Sequence, residues 1–553
     1  MKQDIRILLV KAIEESLSDL GLGALYKEEV LLDPPSDSRF GDLSTNIALK
    51  LAKPAKSSPR EIAAKLIPFL EKRLAQAPAK GYVKAVKVEG AGFINFYLSG
   101  AYFYSRLANI IRQGNKAIAV DIGKGKPVLI EFVSANPTGP LSVAHARQAV
   151  VGDVLANIFN FCGFKAKKEY YLNDEGNQIN ILGRSIELRL RELNGETIEF
   201  PQDHYQGDYI YDIAREIKDK KMQVKDFSEY GVSYILHIIK RELQDFGVKF
   251  DCWYSQKSLR QTGKIEKAFA FLKKKELLYE QEGAFWFKST KFGDDKDRVV
   301  IKSDGSYTYL APDIAYHRDK FRRGFKHLIN LWGPDHHGYI NRMKAAVAAL
   351  GMDPEQLSVV IVQLASIFRD GKPVQMSTRR GQYITLQEVM DEVGHDASRF
   401  FFLMRRTSSH LDFDLGIAKK QTSENPVFYV QYAYARISSI LRNAKESGHD
   451  PDQAAKLRES GLAALKEEEE LDLIRKICQL SDMLHICIIT LDPYMLTVYL
   501  QELATQFHKF YDKHRVLTDD TRLARARLAL LTATKSVLAL GLDLLGICKP
   551  EKM

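Results

Sequence analysis

The stretch from Val128 to Asp153, VLIEFVSANPTGPLSVAHARQAVVGD, admits very few backbones. Val128–Val133 is a β-branched and aromatic run, the pattern of a buried strand. It breaks at Ser134-Ala135-Asn136-Pro137-Thr138-Gly139-Pro140, whose two prolines and glycine can neither continue a strand nor enter a helix interior. A helix must then begin near Ser142, a good N-cap, because Val143, Ala146, Val150, Val154 and Ile158 recur at helical spacing. His145 falls in the first turn, beside backbone N–H groups and a positive dipole end that favour an anion such as phosphate. On this stretch alone, an ordinary strand–turn–helix with a surface histidine is an equal reading.

A second unit of the same kind follows. Lys168–Leu172 reads as a strand, Asn173-Asp174-Glu175-Gly176-Asn177-Gln178 as a loop, and the next residues as a helix through Leu188. Repetition of this unit builds a parallel, doubly wound sheet with ligands at the C-terminal ends of its strands. Leu328–Trp332 and Val359–Leu364 are further buried strands, and residues from about 184 to 295 read as a helical, charge-rich insertion. The aromatics of that insertion, Tyr205, Tyr209, Tyr211 and Trp253, are read as packing. Val299–Lys302 and Tyr307–Leu310 read as a hairpin on an Asp304-Gly305 turn. A helix then starts with Pro312 near its first turn, where Asp313 could simply complement the dipole. Asp335, His336 and His337 invite a metal reading, but adjacent side chains diverge and no further ligand is apparent.

At 553 residues the chain exceeds one core and should form about three or four domains. Its 45% hydrophobic and 27% charged residues are those of a globular protein. No apolar run reaches the length of a membrane span, and the amphipathic opening MKQDIRILLVKAIEESL carries acids unlike a signal peptide, so a cytosolic protein without a membrane partner is expected. Cys162, Cys252, Cys478, Cys487 and Cys548 form no CxxC pair, which argues against a zinc site or a disulfide framework. The net charge of +10 permits a polyanionic partner without proving one. From Asn425 onward 17 basic residues face 17 acidic ones, so the excess, 63 against 53, lies upstream. Lys509, Lys513, Arg515, Arg522, Arg525 and Arg527 remain a local basic patch there, or else a solvated bundle face. Gly123–Pro127 is a hinge; it precedes a strand and lacks the Gly-Lys-Ser/Thr ending of a phosphate loop.

Asn136-Pro-Thr-Gly-Pro-Leu-Ser-Val-Ala-His145 resembles the first signature of the class I aminoacyl-tRNA synthetases, in the form carried by bacterial-type arginyl-tRNA synthetases. That signature usually has two histidines; here Ser142 stands at the first position. Phe368–Gly381 resembles the second signature, a loop that grips ATP phosphates, with Gln375 at the usual first lysine and Arg379 at the final position. The resemblance extends over nearly the whole chain. It includes Gly41-Asp42-Leu43-Ser44-Thr45-Asn46, the 173–178 loop, Gly333-Pro334-Asp335-His336, the 394–414 junction and the C-terminal residues.

The resemblance implies an α/β catalytic domain on a Rossmann-like doubly wound parallel sheet, with an N-terminal α+β domain and a C-terminal all-α helical bundle. The expected boundaries are 1–115 for a tRNA-contacting appended domain, 116–395 for the catalytic domain with its insertion at about 184–295, 396–424 for a junction, and 425–553 for a helical anticodon-binding domain. It implies activation of L-arginine with ATP, aided by Mg2+, and transfer to the 3′ end of tRNA(Arg) by a cytoplasmic monomer. His145, Ser142, Ser377, Met376 and Arg379 would act at the reacting phosphates. Ala135, Asn136, Pro137, Thr138, Gly139, Pro140, Leu141, Val143, Ala144, Gly333, Asp335 and His336 would hold ATP. Glu131, Ser134, Asn136, Tyr309 and Asp313 would hold arginine, and Tyr432, Arg436, Lys509 and Arg522 the tRNA. No protein-bound metal site is expected. The altered Gln375 implies another cation near the β- and γ-phosphates, Lys372 or Lys126. Two rivals share these features: a class I ligase for another amino acid, which has no use for Asp313, and a catalytically silent RNA-binding relative.

Overall fold

The computed structural model describes residues 5–26, 30–35, 37–76, 78–369, 371–374, 383–454 and 456–553. They fall into two compact units, one of residues 1–117, 441–478 and 509–534, the other of 118–440, 479–508 and 535–553.

In the first unit a three-stranded antiparallel sheet runs in the order Leu43–Thr45, Phe93–Leu98, Val83–Glu89. Helix Pro59–Leu74 starts where its sequence dictates: Ser58 Oγ accepts from the Glu61 N–H and Glu61 Oε2 from the Ser58 N–H, with proline at the first position. It buries Ile62, Leu66 and Leu70. The Gly41–Asn46 element closes this sheet. Asp42 Oδ2 accepts from the Leu98 N–H at 2.7 Å, and Gly41, at φ +102°, lies so near Phe96 that a Cβ would stand 2.9 Å from its carbonyl oxygen.

The second unit holds the central sheet. Its elements are β1 (Pro127–Glu131), α1 (Val143–Phe161), β2 (Lys165–Leu172), β3 (Cys252–Ser255), α2 (Leu310–Arg322), β4 (His327–Trp332) and β5 (Leu357–Ile361). The order is β5-β4-β1-β2-β3, every pair parallel. The chain fills one flank from β1 through β2 to β3, then crosses to β4 and β5 on the other. This puts the topological switch between β1 and β4, the place where such sheets open a crevice at their carboxyl ends. Leu129, Leu328 and Leu357 of the sheet pack with Leu310, Ile314 and Ala315 of α2 in a continuous core. On α1, Gly152 admits the sheet's extension: a Cβ there would meet the Phe132 ring at 2.2 Å.

Three expectations are corrected. The segment 184–295 is not purely helical, since β3 within it pairs with β2 and belongs to the central sheet. Tyr307–Leu310 is not a strand; it contributes one bridge, Ile301 to Tyr307, and Leu310 already begins α2. Arg298–Ile301 instead pairs with Ala284–Phe287. Helix Thr521–Leu545 is long and apolar enough to cross a membrane, contrary to the sequence reading, yet 72% of its apolar window is buried inside the protein, as in a core helix.

Candidate functional site

β1 ends at Glu131, and the chain reverses through Val133 and Ser134, at φ +66° and +41°, with the Ser134 N–H returning to the Phe132 carbonyl at 2.9 Å. A β-branched residue at positive φ is strained and persists only where its surroundings hold it. They do so here along the whole of the following loop. The Ala135 carbonyl accepts from the wholly buried Tyr170 hydroxyl at 2.8 Å, Thr138 from Tyr209 at 2.7 Å, and Pro140 from Tyr383 at 3.1 Å. The Leu141 N–H donates to Glu242, whose carboxyl burial pushes up to about 7. Gly139 passes between two tyrosines, a Cβ there standing 3.1 Å and 3.2 Å from the Tyr209 and Tyr383 hydroxyls. Asn136 Nδ2 donates at 2.5 Å to Gln178, in the first turn of the helix Asn177–Leu193.

Ser142 precedes α1 as expected. Its N–H donates to His145 Nδ1 at 3.2 Å, with Ser142 Oγ 3.1 Å from the same nitrogen. Nδ1 therefore accepts and the ring proton sits on Nε2. Burial holds His145 down to about 4, so the imidazole is neutral at physiological pH. Two residues on, the buried Arg147 guanidinium donates to the carbonyls of Gln363, Ser409 and Arg406 at 2.8, 2.9 and 2.9 Å. These bonds tie the start of α1 to the chain after β5.

Across the switch point the register sets Asn330 of β4 beside Glu131 of β1. Ser134 Oγ donates to Glu131 Oε1 at 3.1 Å and accepts from the Tyr171 N–H at 3.1 Å. The other Glu131 oxygen pairs with Lys320, whose side chain is 0% exposed. Asp313, one turn into α2, accepts from the Tyr339 hydroxyl at 2.7 Å. Its carboxyl is pushed up to about 6, first by removal from water and further by the nearby Glu131 charge.

Glu131, Ser134, Asp313 and the 135–145 loop are thus gathered at the carboxyl edge of β1. Tyr309 stands 81% exposed just before α2. Gly333, Asp335 and His336 follow β4, Asp335 and His336 exposed and the His336 ring 6.1 Å from Trp332. Among the described residues no group of three His, Cys, Asp or Glu could hold a metal. Gln375, Met376, Ser377 and Arg379 lie outside the described residues. Lys372 is exposed next to that loop. Lys126 precedes the amino end of β1, about 16 Å of strand from the edge that carries Glu131.

Tyr432 and Arg436 belong to the second unit and engage each other, with the guanidinium donating to the Tyr432 hydroxyl at 2.6 Å and lying 4.5 Å from its ring. Lys509 and Arg522 belong to the first unit and are exposed. Arg527 drops out of the basic patch because it is 5% exposed and bound to the buried Glu470 at 2.7 Å. Lys513 pairs with Glu469. The sequence reading passed over Tyr170, Tyr383, Glu242, Arg147, Asn330, Tyr339 and Lys320 as site residues, and took Tyr209 as packing although its hydroxyl holds the Thr138 carbonyl. None of them carries a local sequence signal; Lys320 shares an i, i+3, i+4, i+7 polar stripe with Asp313, Tyr316 and His317 on α2, a pattern that equally marks a solvated helix face.

Comparison with known proteins gives three family models in chain order: arginyl tRNA synthetase N terminal domain over residues 8–98, tRNA synthetases class I (R), catalytic domain over 106–406, and DALR anticodon binding domain over 430–553. An arginine–tRNA ligase of Citrifermentans bemidjiense is 45% identical over 564 residues, covering 100% of both chains. One from Geobacter sp. strain M21 is 46% identical over 565 residues with the same coverage. Among solved structures, the arginyl-tRNA synthetase of Thermus thermophilus superposes with a TM-score of 0.79 at 21% identity, covering 100% of each chain, a likeness of fold.

Proposed function

The chain belongs to the arginyl-tRNA synthetase family and ligates arginine to tRNA at the expense of ATP, and from that premise we propose how its own residues divide the work. The carrying observation is the convergence of Glu131 and Asp313 with the 135–145 loop at one edge of the sheet.

The 135–145 loop and the start of α1 take the ATP phosphates. The tyrosine hydroxyls that hold its carbonyls fix the loop before the nucleotide arrives, so little ordering is left for binding. His145, neutral and with its proton on Nε2, donates to a phosphate oxygen as charge develops there. Ser142 holds that tautomer, and Gly333, Asp335 and His336 face the adenosine. Ser377, Met376 and Arg379 act from the second signature loop, with Lys372 beside it as the compensating cation. Arginine's carboxylate oxygen attacks the α-phosphorus and pyrophosphate leaves; the hydroxyl at the tRNA 3′ end then attacks the aminoacyl carbonyl and AMP leaves. Positioning and charge neutralisation carry such a reaction.

Arginine's planar guanidinium calls for a carboxylate that accepts two parallel N–H bonds, and Asp313 fits that need, with Tyr309, Glu131, Ser134 and Asn136 completing the pocket. Magnesium, when bound, would neutralise triphosphate charge; the described residues offer it no cage of their own. Residues 1–115 and 425–553 contact the tRNA, through Tyr432, Arg436, Lys509 and Arg522 in the latter. The enzyme works as a cytoplasmic monomer.

Amino-acid-dependent pyrophosphate exchange in the presence of tRNA tests the assignment of the pocket. Arginine alone should support exchange. Equal exchange with a second amino acid would remove Asp313 from its role, and none with any would favour a silent RNA-binding relative.

A further inference from the structure

Of the carboxylates gathered beneath the arginine pocket, three carry their own cations. Glu169 is held by Arg323 through two bonds of 2.5 and 2.8 Å, Asp319 by Lys264 and Arg323 at 2.9 and 3.1 Å, and Glu131 by Lys320. Asp313 differs. Its hydrogen-bond partner is the neutral Tyr339 hydroxyl, and among the described residues no ion pair includes it. Lys320 has no exposed side-chain surface, and its ammonium also donates to Asn330 Oδ1 at 3.1 Å and lies 4.2 Å from the Tyr316 ring centroid. Its position is fixed from the other side as well. Asn330 Nδ2 donates to His317 Nε2 at 2.9 Å, and His317 Nδ1 donates to the Asp313 carbonyl at 2.8 Å. Burial holds His317 neutral, down to about 3, so this relay keeps one direction at physiological pH.

We propose that Lys320 is a positioning residue for amino-acid selection: it neutralises Glu131 and aims its carboxylate, leaving Asp313 as the pocket carboxylate that, among the described residues, has no ion-pair partner. Arginine's α-ammonium and carboxylate cancel, so the free amino acid brings one net positive charge, the charge the pocket lacks. With Glu131 also unpaired, the guanidinium would meet two competing anions and lose its register. The inference rests on the reading of Glu131 and Asp313 as arginine contacts.

Lys320→Met, Glu131→Gln and the double variant separate the possibilities by their Michaelis constants for arginine and for ATP. Lys320→Met should raise the arginine constant about tenfold or more and leave the ATP constant near wild type. Glu131→Gln removes the orphaned charge, so the double variant should return to within about threefold of Glu131→Gln alone. It also keeps a neutral, shape-matched core if Lys320→Met alone fails to fold. An unchanged arginine constant in Lys320→Met, or a double variant that loses the product of both single effects, overturns the proposal. An unchanged arginine constant in Glu131→Gln would instead remove the underlying reading of Glu131, and this inference with it.

Discussion

At the end of the crevice proposed to take the nucleotide, Ala135 to His145 are held through backbone carbonyls, three tyrosine hydroxyls and a neutral imidazole. At the end proposed to take arginine, a few residues away on the same edge, Glu131, Lys320 and Asp313 place full charges out of water. The contrast follows from what each end must recognise. Phosphates bring their own charge and need oriented donors, which cost nothing to keep buried once hydrogen-bonded. A guanidinium must be told from other amino acids by a buried carboxylate, and a buried carboxylate is costly until its partner arrives. One end should therefore answer to geometry and the other to charge and pH.

The largest expected effect lies at the charged end. Asp313→Asn keeps the shape but removes the charge, giving up a charge-assisted hydrogen bond of about 1.5–3 kcal/mol. Catalytic efficiency for arginine should fall about ten- to a few-hundred-fold, read from steady-state aminoacylation over a range of arginine concentrations, while the ATP constant stays put. An unchanged arginine dependence would return Asp313 to a helix-start acid.

His145→Ala should lower the rate of activation about ten- to a hundredfold, with arginine and tRNA affinities near normal, because the imidazole acts on developing charge. Loss of tRNA binding in step with activity would show that the first turn of α1 is merely structural.

A pH series sharpens the contrast. Asp313 titrates at about 6 in the free protein, raised above the ordinary carboxylate range mainly by burial. Arginine requires it ionised, so affinity is full well above 6 and is lost as pH falls through that value. Near pH 5 only about one-tenth of the carboxyls are ionised, and the dissociation constant for arginine should be about tenfold higher than near pH 8. His145, at about 4, stays neutral throughout this window. Calorimetry with arginine alone should show the weakening together with proton release near pH 6. A flat affinity profile would contradict the charged reading of this end.

The smallest effect concerns the lysines. Lys372→Ala should raise the ATP constant a few-fold, about what one partly exposed charge contributes. Lys126→Ala, at the far end of β1, should leave it within about twofold. The reverse ranking would contradict the placement of the ATP phosphates at the carboxyl edge of β1.

How far the residues foretold this arrangement depends on whether the information was local. The proline-broken loop and the helix after Ser142 follow from neighbouring residues and stand where expected, whereas the strand runs Pro127–Glu131 and stops short of Val133, which turns back at φ +66°. β3 was missed because it is four residues of Cys-Trp-Tyr-Ser inside a charge-rich stretch and exists only by pairing with β2, more than 80 positions earlier. The second arm of the hairpin failed for a local reason: Thr308 turns back, its N–H on the Val300 carbonyl at 3.0 Å and its hydroxyl on Val299 at 2.9 Å, and Leu310 enters α2. Asp313 was legible through resemblance alone. Lys320 was not legible at all, since a lysine among Arg318, Asp319, Arg322 and Arg323 reads as a solvated helix face. Only the registry of Asn330 with Glu131 reveals the polar slot that receives it.

The claim that two ends of one crevice work by separate means is tested most directly by the Asp313→Asn, His145→Ala double variant, assayed for aminoacylation beside the two single variants. Independent sites add in free energy, so the double variant should lose arginine efficiency by about the product of the two single losses. A double variant no worse than the more damaged single one would contradict the account, because it would show the charged and neutral ends acting as one unit.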